Sequence, residues 1–229
     1  MQFKITHSPG FSKLDVTFKV GDVLFAQPKS MLCMTTGFDL SAHIGGATGT
    51  AGVVSGFKSV LSGESFATSV FTAKRDNETL SLAPSNIGEI ICIELTGETA
   101  FYLTKGAYLA HESTVKLAPR FGGLKGILTK KGLFLLHASG KGKVFIASYG
   151  AVIQRTLADK ELLVVDNEYV LAFSDTLHYE LRAATKSLKD SLMSGEGLVN
   201  RYEGPGVFYY QTRSRQRTSR LGSLLNVAT

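Results

Sequence analysis

Tryptophan is absent from the sequence, cysteine occurs twice and proline five times in 229 residues, and charged side chains make up only 19% of the chain. Two cysteines cannot build the disulfide framework on which small secreted domains depend. Cys33 and Cys92 each sit in an apolar run, and buried, reduced thiols are expected there. No apolar run reaches the roughly 18 residues of a helical membrane span. The opening Met1-Gln2-Phe3-Lys4-Ile5-Thr6-His7 lacks the apolar core of a signal peptide, so a soluble, cytoplasmic protein is expected.

Motifs of common chemistry are missing as well. The five histidines, His7, His43, His111, His137 and His178, are scattered without a His-x-His pair or a His-Glu-x-x-His, so no metal site is expected. His137, inside an apolar run, reads as a hydrogen-bonded core or edge histidine. There is no Gly-x-Ser-x-Gly elbow, and Ala138-Ser139-Gly140 is expected in a hairpin turn. The glycine-rich His43 to Gly56 segment and Gly140-Lys141-Gly142-Lys143 fit neither phosphate-binding pattern and read as a surface loop and a hairpin tip. Glu64 and Glu196 follow glycines and are assigned to turns, where a carboxylate accepts backbone N–H bonds. The expectation is a protein that is not an enzyme, with no catalytic residue and no cofactor.

What the chain does have is strand grammar. Glycine is plentiful, and 44% of residues are hydrophobic, concentrated in short runs of Val, Ile, Phe and Tyr separated by turn residues. An all-β class follows, with few short helices. Val16, Phe18 and Val20 alternate with polar residues; Val23 to Ala26, Met31 to Met34 and the alternating Phe38, Leu40 and Ala42 follow in order. Successive strands joined by tight turns read as a meander. Asn77-Glu78-Thr79 has the form of a glycosylation sequon and reads as an exposed turn.

This grammar returns twice. Ala100 to Leu103, Ala107 to Ala110 and Val115 to Leu117 repeat it, and so do Leu162 to Val165, Tyr169 to Phe173 and Leu177 to Leu181. Each copy then reaches a Lys-x-x-Leu segment, at Lys58, Lys125 and Lys189, spaced at intervals of about 65 residues. A closing strand pair follows, bounded by the turns Asp76-Asn77, Gly140-Lys141-Gly142 and Gly204-Pro205-Gly206. Fixed-period repetition implies β units that bury their faces against one another. One domain, 1–229, is expected, built of three β repeats at about 15–95, 96–158 and 159–214 in a pseudo-threefold body, with a basic tail at 213–229.

Candidate contacts for an anionic partner are the repeated Lys58, Lys125 and Lys189 and the tail arginines Arg213, Arg215, Arg217 and Arg220. The lysine stems are expected to pack over repeat junctions, while arginine pairs with RNA or lipid phosphates. Leu221, Leu224 and Leu225 add an amphipathic helical spacing behind the arginines. A net charge of +6 and a pI near 9.3 suit an anionic partner, and also serve solubility.

Several separated motifs, in order, carry a resemblance. Gly56-Phe57-Lys58-Ser59-Val60-Leu61-Ser62-Gly63-Glu64, Gly132-Leu133-Phe134-Leu135-Leu136-His137-Ala138-Ser139-Gly140, Ser194-Gly195-Glu196-Gly197-Leu198 and Gln211-Thr212-Arg213-Ser214 resemble the family of the yeast altered-inheritance-of-mitochondria protein, over about Val16 to Leu225. The resemblance implies a fold like that of the tryptophan RNA-binding attenuation protein, a β-sandwich of double-stranded β-helix type. It implies no activity and no catalytic residues. In yeast the family is associated with mitochondrial inner-membrane organisation; a mitochondrial place for this chain would require a eukaryotic source and a removed presequence. The functional expectation is a non-catalytic, homo-oligomeric scaffold or binding module with protein partners. The alternatives are RNA binding through a basic surface, with peripheral membrane contact as a variant of the scaffold, and a small-ligand sensor at repeat junctions.

Overall fold

A computed structural model of the chain describes residues 1–45, 66–121, 134–183 and 198–214. The described residues form strands and turns with no helix among them. The alternation of apolar and polar residues sets the strands, because successive side chains of an extended chain point to opposite faces. In β2 (Lys13–Phe18), Leu14, Val16 and Phe18 are buried while Lys13, Asp15 and Thr17 are partly exposed.

The first run of strands is β2, β3 (Val23–Ala26), β4 (Met31–Met34), β5 (Phe38–Gly45), β6 (Phe66–Ala73) and β7 (Glu78–Leu82), preceded by β1 (Gln2–Thr6). The second is β8 (Ile90–Thr96), β9 (Phe101–Thr104), β10 (Tyr108–Glu112), β11 (Val115–Phe121) and the long β12 (Phe134–Ala147). The third is β13 (Val152–Leu157), β14 (Leu162–Asp166), β15 (Val170–Ser174), β16 (His178–Ala183), β17 (Leu198–Glu203) and β18 (Gly206–Gln211).

The meander expectation does not hold. In the first run β2 and β4 both pair with β7, while β3 and β5 both pair with β6, all antiparallel. From β2 to β5 the chain therefore crosses from one sheet to another at each turn. In the third run β13 and β15 pair with β18, and β14 and β16 with β17. The second run follows the same scheme on one strand: β9 and β11 pair with the first half of β12, β8 and β10 with its second half. Alternation and turn residues look alike whether a chain returns to its own sheet or crosses to a neighbour, which is why the sequence misleads here.

Gly140-Lys141-Gly142 is accordingly no hairpin tip, and Ser139 with it lies within β12. Gly140 and Gly142 adopt φ of 101° and 147°, conformations that only glycine accepts without strain. They bend β12 so that one strand serves two sets of partners. Likewise β6 does not pair with β7, nor β17 with β18, so none of the three closing pairs is a hairpin.

Two joints link the runs. β10 of the second run pairs with β3 of the first, matching Ala110 to Ala26 and His111 to Phe25. β15 of the third pairs with β9 of the second, matching Ala172 to Leu103 and Phe173 to Tyr102. Buried apolar clusters cross the same boundaries: Leu14, Phe18, Leu80 and Leu82 pack with Leu109 and Phe145, and Leu103, Tyr108, Leu136 and Val144 with Leu171 and Ala172. A third cluster, centred on Phe173, Tyr202 and Phe208, includes Leu135. At Gly88, which bridges both Phe11 and Gly150, an added Cβ would strike the carbonyl oxygens of Ser148 and Gly150.

The cysteine expectation is half right. Both are free thiols, but both are exposed. Cys33 lies on β4, whose four residues are all exposed, and Cys92 lies on β8 between the half-buried Ile91 and the buried Ile93. Apolar runs do not reveal which face of a strand is covered.

Candidate binding cleft where three turns meet

The turn that follows the second strand of each run is short, four residues after β3 and three after β9 and β14. Four residues lie between Ala26 and Met31, between Leu103 and Tyr108 and between Val165 and Val170. Each turn is tied to the last strand of its run by one backbone bond of the same kind. Ala83 N donates to Ser30 O at 2.8 Å, Ala147 N to Ala107 O at 2.7 Å and Gln211 N to Tyr169 O at 2.9 Å.

These turns line a cleft of about 510 Å³. Gln27 comes from the first turn, Thr104, Gly106 and Ala107 from the second, and Asn167 and Glu168 from the third. Val170 and Leu171 add an apolar wall, and Ser85, Asn86, Tyr149 and Gln211, from segments leaving the last strands, complete it. Gln211 is held from both ends, since its Oε1 accepts from Tyr149 N and its Nε2 donates to Glu168 O, each at 2.8 Å. Thr104 Oγ1 donates to the carbonyls of Val170 and Leu171 at 3.2 and 3.3 Å. Asn167 Oδ1 is buried and accepts no hydrogen bond. An unmet buried acceptor costs about 1–3 kcal/mol.

Amides, hydroxyls and one carboxylate can orient a small hydrogen-bonding molecule over an apolar wall. No histidine, cysteine or lysine stands in the lining. Perturbed groups lie elsewhere. At the β3–β10 joint, burial lowers His111 to about 4, with His43 adding to the effect. Its ring stacks on Phe25 at 4.9 Å, and Tyr108 Oη lies 2.7 Å from its Nδ1. Burial pushes the Tyr108 hydroxyl well up, so the tyrosine keeps its proton and donates it to the neutral ring. His137 is partly buried 4.0 Å from Asp175; burial lowers its pKa, Asp175 opposes and Arg120 reinforces.

Glu78 is a third such group. The Thr35 hydroxyl, Gly37 N at 3.0 Å and Arg75 Nε at 2.8 Å all donate to its carboxylate. The Thr35 bond first, then Gly37 and Arg75, lower its pKa against a desolvation that raises it. This clip fastens the end of β4 to β7. The neighbouring Asn77 is exposed at the turn.

Of the residues expected to meet an anion, Arg213 is exposed beside the cleft segment, with its backbone N donating to Tyr149 O at 3.2 Å and its guanidinium to Thr212 O at 3.1 Å. Lys58, Lys125, Lys189, Arg215, Arg217 and Arg220 lie outside the described residues, as do Glu64, Glu196 and the tail leucines. Of the glycine-rich segment only His43, Ile44 and Gly45 are described, at the end of β5. No group of three or more potential metal-binding side chains occurs among the described residues. A ligand site at repeat junctions is among the expectations from the sequence, but its residues are not named there. Nothing in the chemistry of Gln27, Thr104 or Asn167 singles them out in the sequence.

Crossed strands in antiparallel sheets, joined run to run, define an all-β protein with a polar cleft between turns. The chain belongs to the mitochondrial biogenesis AIM24 family, whose model matches residues 3–213. An uncharacterized protein of Streptococcus pyogenes serotype M6 is 29% identical over 222 residues, covering 93% of this chain and 86% of that one. A crystal structure of a Streptococcus pyogenes protein, solved by a structural genomics consortium, superposes with a TM-score of 0.75 at 26% identity, covering 99% of this chain and 97% of the other.

Proposed function

We propose that this chain is a non-catalytic binding module that works as a homo-oligomer and holds a small polar ligand in the cleft between its turns. In this reading the three runs are copies of one unit, at about 15–95, 96–158 and 159–214, set about a pseudo-threefold axis in a β-sandwich resembling the tryptophan RNA-binding attenuation protein. The recurring pairing scheme and the short turn after the second strand of every run support it. The observation that carries the function is that side chains from the corresponding turn of every run line one cleft. A cleft built this way gains polar contacts from each unit, which suits recognition rather than bond chemistry. Two exposed, unpaired thiols favour a reducing, cytoplasmic setting.

The test is to purify the protein natively, measure its mass by light scattering and release bound small molecules by denaturation for mass spectrometry. A defined homo-oligomer whose released ligand rebinds wild type, and rebinds an Ala107→Phe variant at least tenfold more weakly, is expected. A monomer that neither carries nor binds any small polar molecule would sink the reading. RNA binding is the second reading, supported by the net charge of +6 and the exposed Arg213. It requires an affinity that falls steeply with salt, and no binding to single-stranded RNA at low salt removes it.

A further inference from the structure

Each run of strands ends in two half-sheets, and the joints complete them. At the first joint β10 and β3 fuse two halves into the six strands β5-β6-β3-β10-β12-β8. At the second, β15 and β9 fuse β11-β12-β9-β15-β18-β13. Two halves are left over: β14-β17-β16 of the third run, and β4-β7-β2 of the first, which β1 extends. Their outermost strands are β14, in the position of β3 and β9, and β4, in the position of β10 and β15. Among the described residues each has one hydrogen-bonded neighbour.

β4 matches the two joined strands in detail. All three carry a register shift against their inner partner at one place, between Met31 and Cys33, Tyr108 and Ala110, and Val170 and Ala172. A leucine sits inside each shift. Leu109 and Leu171 are 0% and 1% exposed, whereas Leu32 is 60% exposed. On β14, Leu162 and Val164 are 52% and 59% exposed. Half of the large exposed hydrophobic side chains among the described residues thus lie on two short strands. A bare apolar edge is a template for another strand, and monomers rarely leave such patches uncovered.

We propose that β14 of one copy pairs antiparallel with β4 of the next, so that the joint made twice within the chain is made a third time between chains. The proposal rests on the oligomeric reading above and adds to it the surface and the register. The occupant is a second copy because the free edges are the two complementary halves of an interface the chain already uses. Carrying over the internal registers places Cys33 opposite Val165, in the manner of Ala110 with Ala26 and Ala172 with Leu103. Met34 then faces Val164, where the internal joints have His111 against Phe25 and Phe173 against Tyr102. Both new pairs are apolar on both sides. The contact is head-to-tail, so repetition closes a ring or extends a filament according to the angle between copies.

Two measurements on the full chain test this. In the first, light scattering follows wild type, Met34→Lys, Val164→Glu and the double variant across concentration, with circular dichroism reporting folding. Wild type should give multiples of 24.6 kDa, each single variant should associate at least tenfold more weakly, and the double variant should recover, because every joint then sets lysine against glutamate. In the second, Val165→Cys in a Cys92→Ser background is oxidised and run without reductant. Paired strands hold their Cα atoms within disulfide range, so dimers and higher species joined through Cys33 are expected. An oligomer unaffected by all three edge variants overturns the interface and leaves the oligomeric reading standing. A monomer at every concentration overturns both. A disulfide formed within one chain also overturns the proposal, since it would mean that the chain closes on itself.

Discussion

Leu109 and Leu32 occupy the same place in the same kind of strand, and their surroundings differ. Leu109 lies in β10, which has β12 on one side and β3 on the other, and packs in a core cluster with Leu14, Phe18 and Phe145, while Leu32 lies in β4, which among the described strands has β7 alone. The second neighbour and the packing that comes with it accompany the change from exposed to buried. Burial of this strand therefore goes with the joint and not with the unit that contains it. The same holds at the other side of the joint, where β3 and β9 alternate buried with half-buried residues and β14 alternates half-buried with exposed ones.

The largest effect expected from this contrast is on stability. Leu109→Ala or Leu171→Ala should cost about 2–5 kcal/mol, the range for leucine truncated in a packed core. Leu32→Ala in dilute, dissociated protein should stay within about 0.5 kcal/mol, as for a surface change. Urea unfolding at low protein concentration measures all three. Equal losses at Leu32 and Leu109 would break the contrast.

A second effect separates the joints by pH. His111 sits where the other internal joint has Phe173. Its folded pKa is lowered from 6.5 to about 4, so between these values the unfolded chain binds a proton that the folded one refuses. Stability is fully retained above pH 6.5 and is lost as pH falls toward 4, by an amount on the order of 3 kcal/mol. Nuclear magnetic resonance titration of the His111 ring should show no protonation above about pH 5. Ordinary titration near 6.5 would mean that the joint is wet.

A smaller acid effect belongs to the clip on β4. The folded Glu78 pKa is lowered below 4.5, so its contribution is present above that value and lost as pH falls through the folded one. Glu78→Gln should lower the urea midpoint at pH 7 and flatten its dependence on pH between about 5 and 3. A variant as acid-sensitive as wild type would assign that slope to another carboxylate.

Strand positions were legible in the sequence because burial on one face writes a period of two, as in Leu14, Val16 and Phe18. Partner choice was not, because it depends on whether a turn folds the chain back or sends it across. Gly140 and Gly142 illustrate the limit: glycine marks a positive φ but does not say whether the chain reverses or bends. The open edge was equally hidden. Met31-Leu32-Cys33-Met34 reads as apolar in the same way as Tyr108-Leu109-Ala110, since both are made to be covered. The cleft residues escaped notice because they are ordinary turn amides and hydroxyls, brought together only by the crossing of strands.

The two thiols carry the contrast to its finest scale. Both are exposed and free, yet the protein around Cys92 desolvates its sulfur and, with Glu94 and Glu112 opposing Lys143, pushes it up to about 11. The thiolate is the reactive form, so Cys92 should label with a maleimide about a hundredfold more slowly at pH 7.5 than an ordinary exposed thiol. Cys33, on the edge strand β4, should label first in dilute protein. Raising the protein concentration should then slow Cys33 alone, because pairing with β14 of another copy covers β4 and leaves β8 as it was. Mass spectrometry of the labelled peptides separates the two sites. Equal slowing of both thiols with concentration would point to association through some other face, and no slowing of Cys33 at concentrations where the protein is oligomeric would leave β4 open in the assembly.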